Sequence, residues 1–136
     1  MADLKNKIIL ITGSSLGIGK ETAFKFAKEG CKVIVTYYKD KKEGLDVADE
    51  CRKLGASDVL VLQLNVADDK SIKDCVKEVI KKFKEIDILI NNAGVIVWKT
   101  FDKQSFEDIE YQLRINLEGL IKNEQRMHAL CQKSYN

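Results

Sequence analysis

The chain has 136 residues, 45% hydrophobic and 32% charged, with 23 lysines and arginines against 21 aspartates and glutamates. That length makes residues 1–136 a single domain, able to bury about two-thirds of the surface its unfolded form exposes. Interspersed charge of net +2 offers no field for nucleic acid or acidic lipid, and no apolar run approaches the roughly 20 residues that cross a membrane. Cys31, Cys51, Cys75 and Cys131 form no CxxC pair and no zinc-ligand spacing, so no metal site is expected. Their usage and the absence of a signal-peptide core predict reduced thiols in a cytoplasmic protein.

Short β-branched runs alternate with stretches of helical period. The first run, Ile8 to Ile11, passes directly into Thr12-Gly13-Ser14-Ser15-Leu16-Gly17-Ile18-Gly19, which opens a helix with Thr22, Ala23, Phe26 and Ala27 inward. Gly13 lets the strand turn, Gly17 permits close backbone approach, and Gly19 lets helix and strand pack tightly. Free amides and the helix dipole at such a turn suit a dinucleotide pyrophosphate. The second run, Lys32 to Tyr37, leads through Thr36-Tyr37-Tyr38-Lys39 into a helix with Leu45, Ala48, Cys51 and Leu54 on one side and Gly55 as its stop. The third, Val59 to Leu62, precedes Asn65-Val66 and a helix capped by Asp68, with Ile72, Val76, Val79, Ile80 and Phe83 on one stripe. Lys81, Lys82 and Lys84 at its end complement the helix dipole and need no nucleic-acid partner.

A fourth run, Ile86 to Ile90, is followed by Asn91-Asn92-Ala93-Gly94 and then by Val95-Ile96-Val97-Trp98. A last helix is expected from near Ser105, with Glu107 and Asp108 in its first turn and Phe106, Ile109, Leu113, Leu117 and Leu120 inward, running on toward Met127. The alternation predicts an α/β fold, a parallel sheet with helices on its faces.

The TGxxxGxG turn and the NNAG segment, each directly after a strand, together resemble the short-chain dehydrogenase/reductase family. Asn116, within Arg114-Ile115-Asn116-Leu117-Glu118-Gly119, is similar to that family's helix asparagine. The resemblance runs over nearly the whole chain, covers about the first half of a typical member, and implies a Rossmann-like, doubly wound parallel sheet truncated after about four strands and the fourth main helix. It implies binding of NADP or NAD and hydride transfer between that cofactor and an alcohol or carbonyl. The turn residues Gly13 to Gly19 would face the pyrophosphate, and Asn92, Ala93 and Gly94 would lie near the cofactor. Asn65-Val66 stands where the family has Asp-Val against adenine, and the amide carbonyl of an asparagine offers the same acceptor.

The end of the second strand separates the two cofactors, because an acid there binds the ribose 2′-hydroxyl and repels a 2′-phosphate. Thr36, Tyr38 and Lys39 include no carboxylate, so NADP is preferred over NAD, although Lys39 belongs equally well to the solvated run that follows it. Asn116 is the one member of the family's catalytic group that can be placed, with a relay role only. The serine, and the tyrosine and lysine of the family's YxxxK segment, are expected beyond Asn136; Ser134 and Tyr135 are not read as catalytic, and His128 is read as a surface residue. Trp98 either walls the substrate cleft or packs. Whether the chain is itself an enzyme is left open.

Two functions follow. The first is a cofactor-binding dehydrogenase unit that is inactive or nearly so alone. The second is a noncatalytic interaction protein that pairs its open sheet edge and last helix with a full-length relative or another partner, in a homo- or hetero-oligomer.

Overall fold

The computed structural model describes residues 3–131. β1 (Ile8–Ile11), β2 (Lys32–Tyr37), β3 (Asp58–Gln63) and β4 (Ile88–Ile90) form one sheet in the order β3-β2-β1-β4, with every pair parallel. Leu10 of β1 stands opposite Ile34 on one side and Leu89 on the other. β1 is buried on both faces, which is why it reads as an unbroken apolar run.

Alternate residues feed two cores. On one face Ile8, Leu10 and Ile34 pack with Ile72, Cys75 and Val79 of α3 (Asp69–Lys82) and with Met127 and Leu130 of α5 (Leu120–Cys131). On the other, Ile9, Ile11, Val33 and Val35 meet Ala23 and Ala27 of α1 (Gly17–Lys28) and Val47, Ala48 and Cys51 of α2 (Lys41–Leu54).

At the helix ends Asp68 caps α3 as expected, its carboxylate accepting from the Lys70 amide, and the Asp40 carboxylate accepts from the Glu43 amide at the start of α2. α2 stops at Gly55 with φ 111°, a conformation that favours glycine. Ser105 and Asp108 form a reciprocal capping box at the start of α4 (Phe106–Leu113).

Three expected inward faces are shifted. α2 turns Gly44, Val47, Ala48 and Cys51 to the sheet and leaves Leu45 exposed. The cause is Gly44, where a Cβ would come within 3.0 Å of the Tyr37 ring, so the line of closest approach passes through it. In α3 the buried line runs Ile72, Cys75, Val79, with Ile80 exposed. The largest correction concerns the last helix, where Phe106, Leu113 and Leu117, expected inward, are 84%, 54% and 56% exposed, and Leu120 is exposed as well. A π-helical turn, Arg114–Gly119, joins α4 to α5, and the stripe that reaches the sheet is instead Ile115, Gly119, Asn123, Met127 and Leu130. Gly119 sits where a Cβ would be 2.8 Å from the Val66 carbonyl, which brings the helix in along that line and leaves the leucine face without cover among the described residues.

β4 is shorter than the run Ile86 to Ile90 because Asp87 interrupts it. Its carboxylate accepts from the Ile8 amide at 2.8 Å and from Lys7 Nζ at 3.0 Å, tying β4 to the start of β1. The other edge of β4 has no partner strand among the described residues. No helix among the described residues is long and apolar enough to cross a membrane.

Cys31, Cys51 and Cys75 carry free, buried thiols. Burial pushes the Cys51 thiol up to about 11 and the Cys75 thiol up to about 12. Both are therefore expected to resist iodoacetamide at pH 8 until the chain unfolds, as mass spectrometry of alkylated protein will show. Because the folded values lie above the unfolded value of 9.0, stability is expected to hold below that pH and to fall as pH rises toward 12. Asp87→Ala is expected to cost about 1–3 kcal/mol, seen as a lower urea midpoint at unchanged slope, since it strands the Ile8 amide.

Candidate nucleotide-binding cleft

The glycine turn leaves β1 at a junction built from buried hydroxyls. Thr36 Oγ1 donates to the Ile11 carbonyl at 3.0 Å and accepts from the Gly13 amide at 2.9 Å. Ser14 Oγ donates to the same carbonyl at 2.8 Å and accepts from the Thr36 amide at 2.9 Å. Ser14 and Thr36, both expected at the cofactor, thus form a latch beneath the turn and do not line the cavity.

A second junction fastens the turn to the loop after β4. Thr12 Oγ1 accepts from the Asn92 and Ala93 amides, each at 2.9 Å. Asn92 Nδ2 donates to the carbonyls of Thr12 and Gly13 at 3.0 and 3.1 Å. Gly13 has φ 63°, and a Cβ there would stand 3.0 Å from Ala93 Cα. At Gly19 a Cβ would meet the Gly13 carbonyl at 2.4 Å and Asn92 Nδ2 at 2.5 Å, the close helix-to-strand approach that the motif predicts.

Gly17 is different. It has φ 55°, and nothing lies within 4 Å of where its Cβ would be. Leu16 caps α1 in extended conformation with no side-chain hydrogen bond, and the first turn carries no acid. The first amides of α1 and the positive end of its dipole therefore face open space, the arrangement that receives an anion. That space is a cavity of about 410 Å³, within the range of cofactor sites. Gly13, Ser15, Leu16, Gly17 and Ile18 form one wall, Tyr38, Asn65 and Val66 a second, and Asn92, Ala93 and Gly94 a third. A pyrophosphate with its adenosine fits this donor set of amides and apolar walls.

Gly19 and Lys39 lie off the lining. Gly19 acts through packing, and Lys39 places its ammonium 5.1 Å from the centre of the Tyr38 ring. The Asn65 side-chain oxygen, Oδ1, already accepts from the Ala67 amide at 3.0 Å. Leu64, Val95 and Ile115 line the cavity without having been singled out, and Thr12 proves to be the hub of the junction. The threonine stood inside the quoted motif; the apolar three had no local signal, since their place depends on packing between segments distant in sequence.

Asn116 sits in the π-helical turn, and its side chain is spent on one residue. Nδ2 donates to the Val95 carbonyl and Oδ1 accepts from the Val95 amide, both at 2.7 Å. It is a positioning residue for the loop that follows Gly94. Trp98 neither packs nor lines the cavity and is 89% exposed. His128 is exposed on α5. Tyrosine and lysine stand four apart at Tyr37 and Lys41 and at Tyr38 and Lys42, but neither Tyr37 nor Lys41 lines the cavity and Lys42 is engaged by Asp46 at 2.7 Å. Ser134 and Tyr135 lie outside the described residues. Among the described residues no group of three metal-ligating side chains is assembled.

Comparison with known proteins places this geometry. The family described as short chain dehydrogenase matches residues 7–133. The chain is 38% identical over 102 residues to the 11-beta-hydroxysteroid dehydrogenase-like 4A of Arabidopsis thaliana, covering 75% of this chain and 34% of that protein. To the 3-oxoacyl-(acyl-carrier-protein) reductase FabG of Staphylococcus epidermidis it is 33% identical over 115 residues, 85% of this chain and 47% of that one. Among solved structures, an NADH-dependent reductase complexed with NAD superposes with TM-score 0.87 at 26% identity, covering 97% of this chain and 55% of the other. A short chain dehydrogenase from Burkholderia cenocepacia in complex with NADP gives TM-score 0.85 at 30% identity, over 95% and 52%. The chain thus spans a third to a half of the curated relatives it matches. A glycine turn latched to an NNAG loop, a parallel sheet in the order β3-β2-β1-β4 and a match over residues 7–133 make this chain a member of the short-chain dehydrogenase family.

Proposed function

We propose that this chain binds a dinucleotide across the carboxyl ends of β1 and β4, with the pyrophosphate at the start of α1, and that it serves hydride transfer between that cofactor and an alcohol or carbonyl. The observation that carries the reading is the uncapped start of α1 beside Gly17, whose missing side chain leaves the amides open to an anion. The cofactor would supply the hydride or accept it; the residues here bind and orient. Tyr38, Leu64, Asn65 and Val66 suit the adenosine end of the cavity, and Ala93, Gly94, Val95 and Ile115 the other wall.

NADP is the preferred cofactor in this reading, with NAD second. The end of β2 bears no carboxylate, and Lys39 is held over the Tyr38 ring, within reach of a 2′-phosphate placed at that wall. A relay role for Asn116 draws on its place beside Gly94 and would require its side chain to release Val95, whose amide and carbonyl it holds at 2.7 Å. Among the described residues the serine and the tyrosine-lysine pair of the family's chemistry have no counterpart at this cavity, so these residues are read as binding the cofactor. The free, buried thiols of Cys31, Cys51 and Cys75 suit a reducing, cytoplasmic setting. The second reading, pairing with a relative or another partner, draws on the open edge of β4 and the exposed Phe106, Leu113 and Leu117.

Calorimetric titration with NADPH and NADH in parallel tests the first reading. Saturable binding with NADPH tighter is expected, and folded protein that binds neither would refute it. Lys39→Ala is expected to weaken NADPH about three- to tenfold and leave NADH unchanged. Gly17→Ala meets no protein atom in the free chain; it is expected to stay folded at a cost of about 1–2 kcal/mol for its positive φ while losing at least about tenfold in affinity. Gly19→Ala, which collides with backbone, is expected to lower the melting temperature markedly.

A further inference from the structure

Residues Gly94 to Trp98 form no strand or helix, so their backbone groups need partners from elsewhere. They find them on one helix face. Asn116 takes both the amide and the carbonyl of Val95, each at 2.7 Å. One turn earlier, Gln112 Oε1 accepts from the Val97 amide at 3.1 Å. Two side chains four residues apart thus bind alternate residues of the loop, which runs antiparallel to the helix, while the Val97 carbonyl accepts from the Lys99 amide at 2.9 Å. The loop side chains alternate accordingly: Val95 and Val97 are half-buried, whereas Ile96 and Trp98 are 60% and 89% exposed.

Gln112 is itself fixed. Its Nε2 donates to Gln104 Oε1 at 3.1 Å and to the Asp108 carbonyl at 3.2 Å. Gln104 in turn donates to the Lys99 carbonyl, and Lys99 pairs with Asp108 at 2.6 Å. Because a backbone amide can only donate, the atom facing Val97 has to be the oxygen, and this settles the orientation of the side chain. Val95 and Ile115, on the two sides of this clamp, both line the cleft.

We infer that Gln112 is a positioning residue for the cleft: its acceptor on the Val97 amide, with Asn116 on Val95, holds the loop against the helix so that Val95 forms part of the cofactor wall. The affinity arm of this inference rests on the dinucleotide reading above; the loop arm does not. The Gln112 donors support the first turns of α4, while its acceptor holds the loop, and substitution separates the two. Gln112→Glu keeps an acceptor for Val97 and loses the donors. Gln112→Leu loses both, and Gln112→Lys keeps a donor without an acceptor.

Amide exchange followed by nuclear magnetic resonance on the unliganded chain, and calorimetry with NADPH, decide the matter. Gln112→Leu and Gln112→Lys are each expected to speed exchange at Val97 by about tenfold and to weaken NADPH by about three- to tenfold, with Gln112→Glu close to wild type in both. Wild-type affinity in the leucine and lysine variants, unchanged protection at Val97, or a glutamate variant as impaired as the leucine one would overturn the inference. If the leucine variant does not fold, the lysine and glutamate pair makes the same comparison. If the wild-type chain binds neither dinucleotide, the cofactor reading falls, and exchange at Val97 alone decides whether the clamp exists.

Discussion

The junction between the glycine turn and the loop after β4 is the constraint on which the rest of the molecule depends. One hydroxyl, Thr12 Oγ1, accepts two successive amides from Asn92 and Ala93, and one side-chain amide, Asn92 Nδ2, returns two donations to the carbonyls of Thr12 and Gly13. The groups are partly buried, so leaving any of them unpaired costs more than its bond contributes when made. Segments about 80 residues apart are thereby locked in one register. The absence of side chains at Gly13 and Gly19 lets them come this close.

What the lock achieves is a cleft with directed donors. Ser14 and Thr36 satisfy the carbonyl of Ile11 and the amide of Gly13 from below, so the strand end needs nothing from the cleft. The start of α1 is left without a capping side chain. An uncapped helix start is a cost to the free protein and a reserve of binding energy for an anionic ligand, which supplies the missing acceptors. The walls that flank it, Leu16, Ile18, Leu64, Val66 and Ile115, are apolar and suit a flat ring between them.

Order is graded away from this centre. β1 and β2 are buried throughout their middle, while β4 is a short half-buried edge and the loop beyond it is held mainly by side chains of the helix beneath. The apolar face of α4 and the π-helical turn is open to solvent. Local opening is therefore expected to begin at the loop and the last helix rather than at the glycine turn.

The sequence by itself determined the elements whose cause is local. β1 and β2 begin and end where their β-branched runs do, Asp68 caps α3, Ser105 starts α4, and Gly55 ends α2, because cap and turn preferences act within a few residues. The motif residues were legible for the same reason, since the chemistry of a phosphate turn is contiguous. Tertiary structure alone decided which way those residues face. Ser14 and Ser15 are neighbours of one type, yet Ser14 is buried in the latch and Ser15 lines the cleft, because Thr36 lies beneath the turn. Likewise periodicity found the leucine stripe of the last helix but assigned it inward, whereas Gly119 against Val66 turns a different stripe to the sheet. An amphipathic pattern records that a face is apolar; what covers that face depends on contacts between residues far apart in the chain.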